Sequence, residues 1–197
     1  MTKTLLIDFD GTICHDRFWF GIDQTSKDKV SEFLHANNHK IIIKWMKGKI
    51  TSEEINKEIA KLLKRDEKKL WQEFVKSCYK MKVNKNLLNK INKLRKTYQV
   101  VLLTDNMDSF DRFVSPNLKL EKYFDKIINS FNEGNIKGEP NGKLFKKTLK
   151  TMKVPIKDAI LFDNSKLICK LFKTLGGKSH LVTKEKPIEF HLNKLKI

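Results

Sequence analysis

Apolar residues along this chain fall into two kinds of pattern. Short, nearly continuous apolar runs occur at Thr4-Leu5-Leu6-Ile7, Val100-Val101-Leu102-Leu103, Lys126-Ile127-Ile128-Asn129-Ser130, Ala159-Ile160-Leu161-Phe162-Asp163 and His180-Leu181-Val182-Thr183. Runs with so little polar relief read as strands buried on both faces, as in a parallel sheet. Between them, apolar residues recur at helical spacing. From about His15 to Lys82 only helix signals are found. Ser26 is the expected cap of a helix carrying Val30, Phe33 and Leu34. A second spans His39 to Lys47 and is broken by Gly48. Thr51-Ser52-Glu53-Glu54 is a capping-box pattern that opens a third, with Ile55, Ile59, Leu62 and Leu63 on one face. Asp66 starts a fourth, with Leu70, Phe74, Val75 and Cys78.

The remaining helices sit between the later strands. Asn84 caps one with Leu87, Leu88, Ile91 and Leu94; another runs through Phe110 and Phe113 until Pro116 interrupts it. Asn141, after a loop with Gly134, Gly138, Pro140 and Gly142, caps one with Leu144, Phe145 and Leu149. Leu167 to Leu175 forms one stopped by Gly176-Gly177. The tail with Pro187 reads as polar. Alternating strands and helices predict an α/β fold, a Rossmann-like parallel sheet with helices on both faces, plus a small all-helical insertion after the first strand. Phe18, Trp19, Phe20, Trp45 and Trp71 are expected to form the core of that insertion.

At 197 residues, with 40% apolar and 10% aromatic content, the chain can bury a sizeable core. No apolar stretch is long enough to span a bilayer, the N-terminus enters a strand without a signal-peptide pattern, and Cys14, Cys78 and Cys169 show neither disulfide nor metal-ligand spacing. Reduced thiols and a cytoplasmic protein are expected, without membrane partners. The formal charge is +18, but the arginines are only Arg17, Arg65, Arg95 and Arg112. Readers of nucleic acid lean on arginine, and the lysines are spread over helix faces, so a solvated surface explains the charge better than a nucleic-acid footprint.

Open α/β sheets place ligands outside the carboxyl ends of their strands. The polar residues at those ends are Asp8 and Asp10, then Thr104 and Asp105, then Asp163 and Asn164. Asp8-Phe9-Asp10-Gly11-Thr12 alone also reads as a solvated turn. Taken with Leu102-Leu103-Thr104-Asp105-Asn106, and with Leu161-Phe162-Asp163-Asn164-Ser165 followed by a helix and Leu175-Gly176, it resembles the motifs of the haloacid dehalogenase-like superfamily of aspartate-nucleophile phosphatases. The resemblance extends over nearly the whole chain. It implies a core of residues 1–14 and 84–197, and a helical cap of residues 15–83 in the family's first insertion position. Gly48 to Glu54 is similar to a cap sequence of small-metabolite phosphatases in this group.

The resemblance also implies the site. Asp8 is the nucleophile that carries an aspartyl-phosphate, and Asp10 is the acid and base. Thr104 and a lysine bind the phosphoryl group. Mg²⁺ is held by Asp8, the main-chain carbonyl of Asp10, and Asp163. The register from Ser130 through Gly134 favours Lys137 as the lysine, with Lys143 as its rival. An acid at Asp10 implies phosphoester hydrolysis, since dehalogenases of the superfamily lack one there. Asn164 departs from relatives that carry a second acid. Asp163 also reads as a helix N-cap, and His15 and Arg17 stand either at the substrate or on the surface. The expected reaction is Mg²⁺-dependent hydrolysis of a small phosphorylated metabolite. A phosphotransferase or mutase on the same residues, and a non-catalytic basic binding protein, are the alternatives. The oligomeric state is left open.

Overall fold

The structure is a computed structural model and describes residues 3–19, 21–36 and 39–195; Phe20, one of the expected core aromatics, lies outside the described residues. In chain order the elements are β1 (Thr4–Ile7), α1 (Gln24–Ser31), α2 (His39–Met46), α3 (Ser52–Leu63), α4 (Glu67–Lys80), α5 (Lys85–Leu94), β2 (Gln99–Thr104), α6 (Ser115–Leu118), β3 (Lys126–Asn129), α7 (Ser130–Glu133), α8 (Lys143–Thr151), β4 (Ala159–Asp163), α9 (Lys166–Thr174), β5 (Lys178–Leu181) and α10 (Ile188–Leu192). The strands form one sheet in the order β3-β2-β1-β4-β5, and every pairing is parallel.

The continuous apolar runs fill both sides of this sheet. Leu5 and Ile7 of β1, with Val100, Leu102 and Phe162, face a core shared with α3, α4, α5 and α10. Leu6, Val101, Leu103 and Leu161 face the other side, covered by Leu144, Phe145 and Leu149 of α8 and Phe172 of α9. Strand order reverses between β1 and β4, so the tips of these two strands flank the point where open α/β sheets build their sites.

The all-helical segment between β1 and β2 shares one apolar cluster with the first face of the sheet. Its two ends are tied together by the Lys82 amide, which donates to Asp16 Oδ2 at 2.7 Å. Thr51 and Glu54 form the expected reciprocal capping box, and Asp66 and Asn84 cap α4 and α5. Trp19 and Trp45 are buried, while Phe18 and Trp71 pack against the same cluster.

Several boundaries differ from expectation. Asp23, not Ser26, caps α1: its carboxylate accepts from both the amide and the hydroxyl of Ser26. Pro116 does not interrupt a helix but sits in the first turn of α6, after a π-helical turn at Phe110–Val114, where a missing N–H costs nothing. Gly142 rather than Asn141 precedes α8; its φ of +60° favours glycine, and a Cβ there would stand 2.2 Å from the end of the Leu175 side chain. Strand β5 begins two residues earlier than expected, and Ser130 belongs to α7. The expected strand is displaced because β5 lies at the edge of the sheet: Lys178 is exposed, only Ser179 is buried, and His180 stacks on Phe162 with ring centres 5.3 Å apart. The tail is not merely polar, since α10 buries Ile188 and Leu192.

Candidate active site

Register brings the acids together. Ile7 is level with Leu102 on one side and Phe162 on the other, and the Asp8 amide donates to the Phe162 carbonyl at 3.0 Å. Beyond Asp8 the chain coils back on itself. The amides of Thr12, Ile13 and Cys14 all donate to the carbonyl of Phe9. Gly11 makes that coil possible: its φ is +76°, and a Cβ there would stand 2.2 Å from Asn164 Nδ2.

At the centre, the Lys137 ammonium stands 2.6 Å from Asp8 Oδ1 and 2.6 Å from Asp163 Oδ2. These side chains are nearly sealed from solvent, at 3%, 5% and 1% relative exposure. Burial opposes the charge on Lys137, but Asp8, Asp163 and Asp105 around it outweigh that and push its pKa up. Burial acts in the opposite sense on the acids. It pushes Asp8 up to about 7 against the pull of Lys137, and Asp10 up to about 6 against the charges of Arg17 and Lys137.

Lys143, the rival, is exposed on the first turn of α8, so the structure brings Lys137 to the carboxylates and leaves Lys143 away from them. Asp163 is not the cap of α9. Ser165 takes that place, and the Ser165 amide donates to Asp163 Oδ1 at 2.8 Å, fixing the carboxylate. Thr104 is fully buried at the end of β2, with Asn106 Nδ2 3.4 Å from its Oγ1. Arg17 lies at the cleft beside Asp10, whereas His15 is exposed and does not line it.

Three further residues complete the cluster; of them only Asp105 had been singled out in the sequence, as a polar residue at a strand end. Thr12 Oγ1 donates to Asp8 Oδ2 at 3.1 Å. Asn106 Nδ2 donates to Asp10 Oδ2 at 2.7 Å and is itself held by its amide on Ser130 Oγ. Asp105 Oδ1 accepts the Lys137 amide at 2.8 Å, which fixes the backbone that delivers the ammonium. All three lie inside the motifs, so their proximity along the chain was the available signal.

Among the described residues, no group of three or more His, Cys, Asp or Glu side chains is gathered to hold a metal. The expected Mg²⁺ set needs only two such side chains, Asp8 and Asp163, with the Asp10 carbonyl as third ligand. The site fits a hard cation on charge grounds: Asp8, Asp10, Asp105 and Asp163 surround one ammonium, leaving buried negative charge that oxygen-seeking Mg²⁺ would offset.

A five-stranded parallel sheet carries an aspartate at the tip of its central strand, facing a lysine and a second aspartate, in a Rossmann-like α/β arrangement. The model of the haloacid dehalogenase-like hydrolases matches residues 2–166, and the chain belongs to that family. It is similar in structure to the HAD family enzyme BT-2542 from Bacteroides thetaiotaomicron, with 22% identity, coverage of 92% of this chain and 94% of that one, and a TM-score of 0.76. The same enzyme in complex with magnesium and inorganic phosphate gives 21% identity, 93% and 95% coverage, and a TM-score of 0.72. A predicted HAD-like family hydrolase from Porphyromonas gingivalis is 15% identical over the full length of both chains, with a TM-score of 0.69. An L-2-haloacid dehalogenase from Xanthobacter autotrophicus is 14% identical over 94% of this chain and 80% of that one, with a TM-score of 0.61. At these identities the likeness is one of fold. No curated protein matches the chain.

Proposed function

We propose that this hydrolase is a Mg²⁺-dependent phosphatase that cleaves small phosphorylated metabolites through an aspartyl-phosphate on Asp8. The observation that carries the reading is the Lys137 ammonium bridging Asp8 and Asp163, with the Asp10 carboxyl on the same coil. The magnesium and phosphate held together by BT-2542 support it.

A phosphate monoester is an anion, and hydrolysing it demands some of the largest rate accelerations known. A carboxylate nucleophile divides the task into two displacements. Asp8 attacks phosphorus while the P–O bond to the alcohol breaks, and Asp10 gives the departing oxygen its proton. Asp10 then takes a proton from the water that attacks the aspartyl-phosphate, releasing inorganic phosphate and restoring Asp8. A carboxyl raised to about 6 suits a group that must both give and take a proton near neutrality. Asn106 holds that carboxyl in place, Lys137 stabilises charge on Asp8 and the phosphoryl group, and Thr104 offers a hydroxyl to the phosphoryl oxygens. Mg²⁺, held by Asp8, Asp163 and the Asp10 carbonyl, would keep Asp8 ionised and screen its charge from the substrate's. In this reading residues 15–83 act as a cap over a core of residues 1–14 and 84–197, and the three buried free cysteines suit a reducing, cytoplasmic setting.

The test is steady-state release of phosphate from p-nitrophenyl phosphate by the full chain with Mg²⁺. Turnover is expected, with loss on chelation and in Asp8→Asn, and a fall of roughly 10²–10⁴-fold in Asp10→Ala. Chloride release from 2-chloropropionate without phosphate release would overturn the reading and favour dehalogenation.

A further inference from the structure

A cavity of about 690 Å³ opens beside the site, with Asp10 and Asp105 in its wall. In the proposed reaction Asp10 meets the oxygen of the departing alcohol, so whatever that oxygen carries extends into this cavity. The apolar side chains around it, among them Trp19, Leu34, Ile42 and Trp45, are buried and sealed by their own packing. The groups that can reach a ligand stand at the mouth, where Asp16, Arg17, Gln24 and Asp28 are exposed and Lys27 is half-buried.

Existing partners separate these groups. Asp16 Oδ2 accepts the Lys82 amide at 2.7 Å, and Asp28 Oδ1 accepts Gln24 Nε2 at 2.8 Å. Each acid of the mouth thus already holds a donor. The cations do not hold an acceptor. Three of the four arginines are neutralised within the chain: Arg65 by Asp23, Arg95 by Asp125, and Arg112 by Glu53 and Asp108. Arg17 is the fourth. Among the described residues its guanidinium makes no hydrogen bond or ion pair, and it lines the cavity instead. The Lys27 ammonium, on α1, is without a partner among the described residues as well. In so basic a chain that says little for a lysine, but half-burial on a cavity wall separates Lys27 from the solvent-facing ones.

Arg17 also stands close to the chemistry. After burial, its charge is the largest influence on the Asp10 carboxyl, ahead of that of Lys137. A guanidinium has five donors, no acceptor and a permanent charge, and its fork matches the paired oxygens of a carboxylate or a phosphate. We infer that the alcohol released by this phosphatase carries an anionic group of its own, a carboxylate or a second phosphate, which Arg17 binds at the cavity mouth with Lys27 beside it. This rests on the phosphatase reading and narrows it. An anionic tail gives Arg17 the counter-charge that the other three arginines find within the chain, whereas a neutral tail offers none. The transferring phosphoryl group has its own cation in Lys137, on the far side of Asp8 from solvent.

The experiment compares three esters that share a four-carbon chain and a primary leaving oxygen: the phosphate of 4-hydroxybutyrate, the phosphate of 4-hydroxybutanamide and the bisphosphate of butane-1,4-diol, with the Mg²⁺-loaded full chain. The amide matches the carboxylate in size and lacks its charge. At least one of the two anionic esters is expected to exceed the amide in kcat/KM by about tenfold or more, and which one does so assigns the anion. In Arg17→Gln that ratio falls toward one, and Arg17→Lys, which keeps the charge, retains part of it. Any change in Asp10 acts on all three esters alike and leaves the ratio untouched. Binding of 5-phosphonopentanoate and of pentane-1,5-bisphosphonate, each against 5-phosphonopentanamide, gives the same comparison without turnover, with the same preference expected. Equal rates for the three esters, or a preference for the amide, overturn the inference and leave the phosphatase reading intact. A preference that persists in Arg17→Gln, or a loss in that variant that is equal for all three esters, overturns it too. Absence of hydrolysis for all three esters overturns the phosphatase reading, and the phosphonates then decide alone whether the cavity mouth selects an anion.

Discussion

The indole N–H of Trp45 donates to Asp108 Oδ1 at 3.1 Å, joining residues 63 positions apart, one in α2 and one in the loop that follows β2. The same oxygen accepts the amide and hydroxyl of Ser52 at the start of α3, and Oδ2 accepts from Arg112. Arg112 reaches on to Glu53 with both terminal nitrogens. One buried carboxylate thus fastens the helical insertion to the segment that follows Thr104 at the end of β2. Replacing it leaves buried donors without acceptors. Asp108→Ala is expected to cost about 2–4 kcal/mol, read from the urea midpoint at unchanged slope. Arg112→Ala should cost less, because the guanidinium is substantially exposed.

Lys137 and Lys143 are six residues apart, and only the first reaches the carboxylates. Lys137→Met should lower kcat by roughly 10²–10³-fold, the scale of removing a preorganised charge-stabilising donor. Lys143→Met, which alters only a solvent-facing side chain, should leave kcat and KM unchanged. A rate loss in the second variant and not the first would reverse the assignment.

Gly48 and Gly134 share the same φ of +66° but not the same surroundings. A Cβ at Gly48 would stand 2.5 Å from the main-chain oxygen of Phe131, whereas one at Gly134 meets nothing within 4 Å. Gly134→Ala therefore isolates the conformational penalty, about 1–2 kcal/mol. Gly48→Ala adds a clash with backbone that cannot rotate away, so its thermal midpoint should fall further than that of Gly134→Ala. Equal losses would mean the loop after α2 does not rest on α7 as described.

Asp111, on the turn before α6, is pushed above the usual carboxylate range by burial, although Asn129 and Asn132 both donate to it. A raised folded-state pKa means the folded chain holds that proton more tightly than the unfolded chain does. Stability from this group is fully present below the unfolded value of about 3.9 and is lost as pH rises through the folded value. Relative to Asp111→Asn, the wild-type chain should therefore gain thermal stability as pH is lowered from neutral toward 4. A difference in midpoint that stays constant over that range would remove the assigned shift.

Much of the architecture was written in local pattern. Continuous apolar runs mark β1, β2 and β4 because both faces of those strands are covered, and side-chain caps at Thr51, Asp66 and Asn84 act on amides two or three residues away. Asp8, Asp10, Thr104 and Asp163 could be named because each stands at the end of such a run, and parallel strands bring their ends to one edge. What depends on partners distant along the chain was not legible. Register already favoured Lys137 over Lys143, but the Asp105 carboxylate that holds the Lys137 amide, 32 positions away, could not be read from it. The strand order and the Asp108 fastening come from contacts between segments that periodicity treats separately. Periodicity reports which side of an element is buried; only packing decides what it is buried against, and the chemistry of this site lies in those pairings.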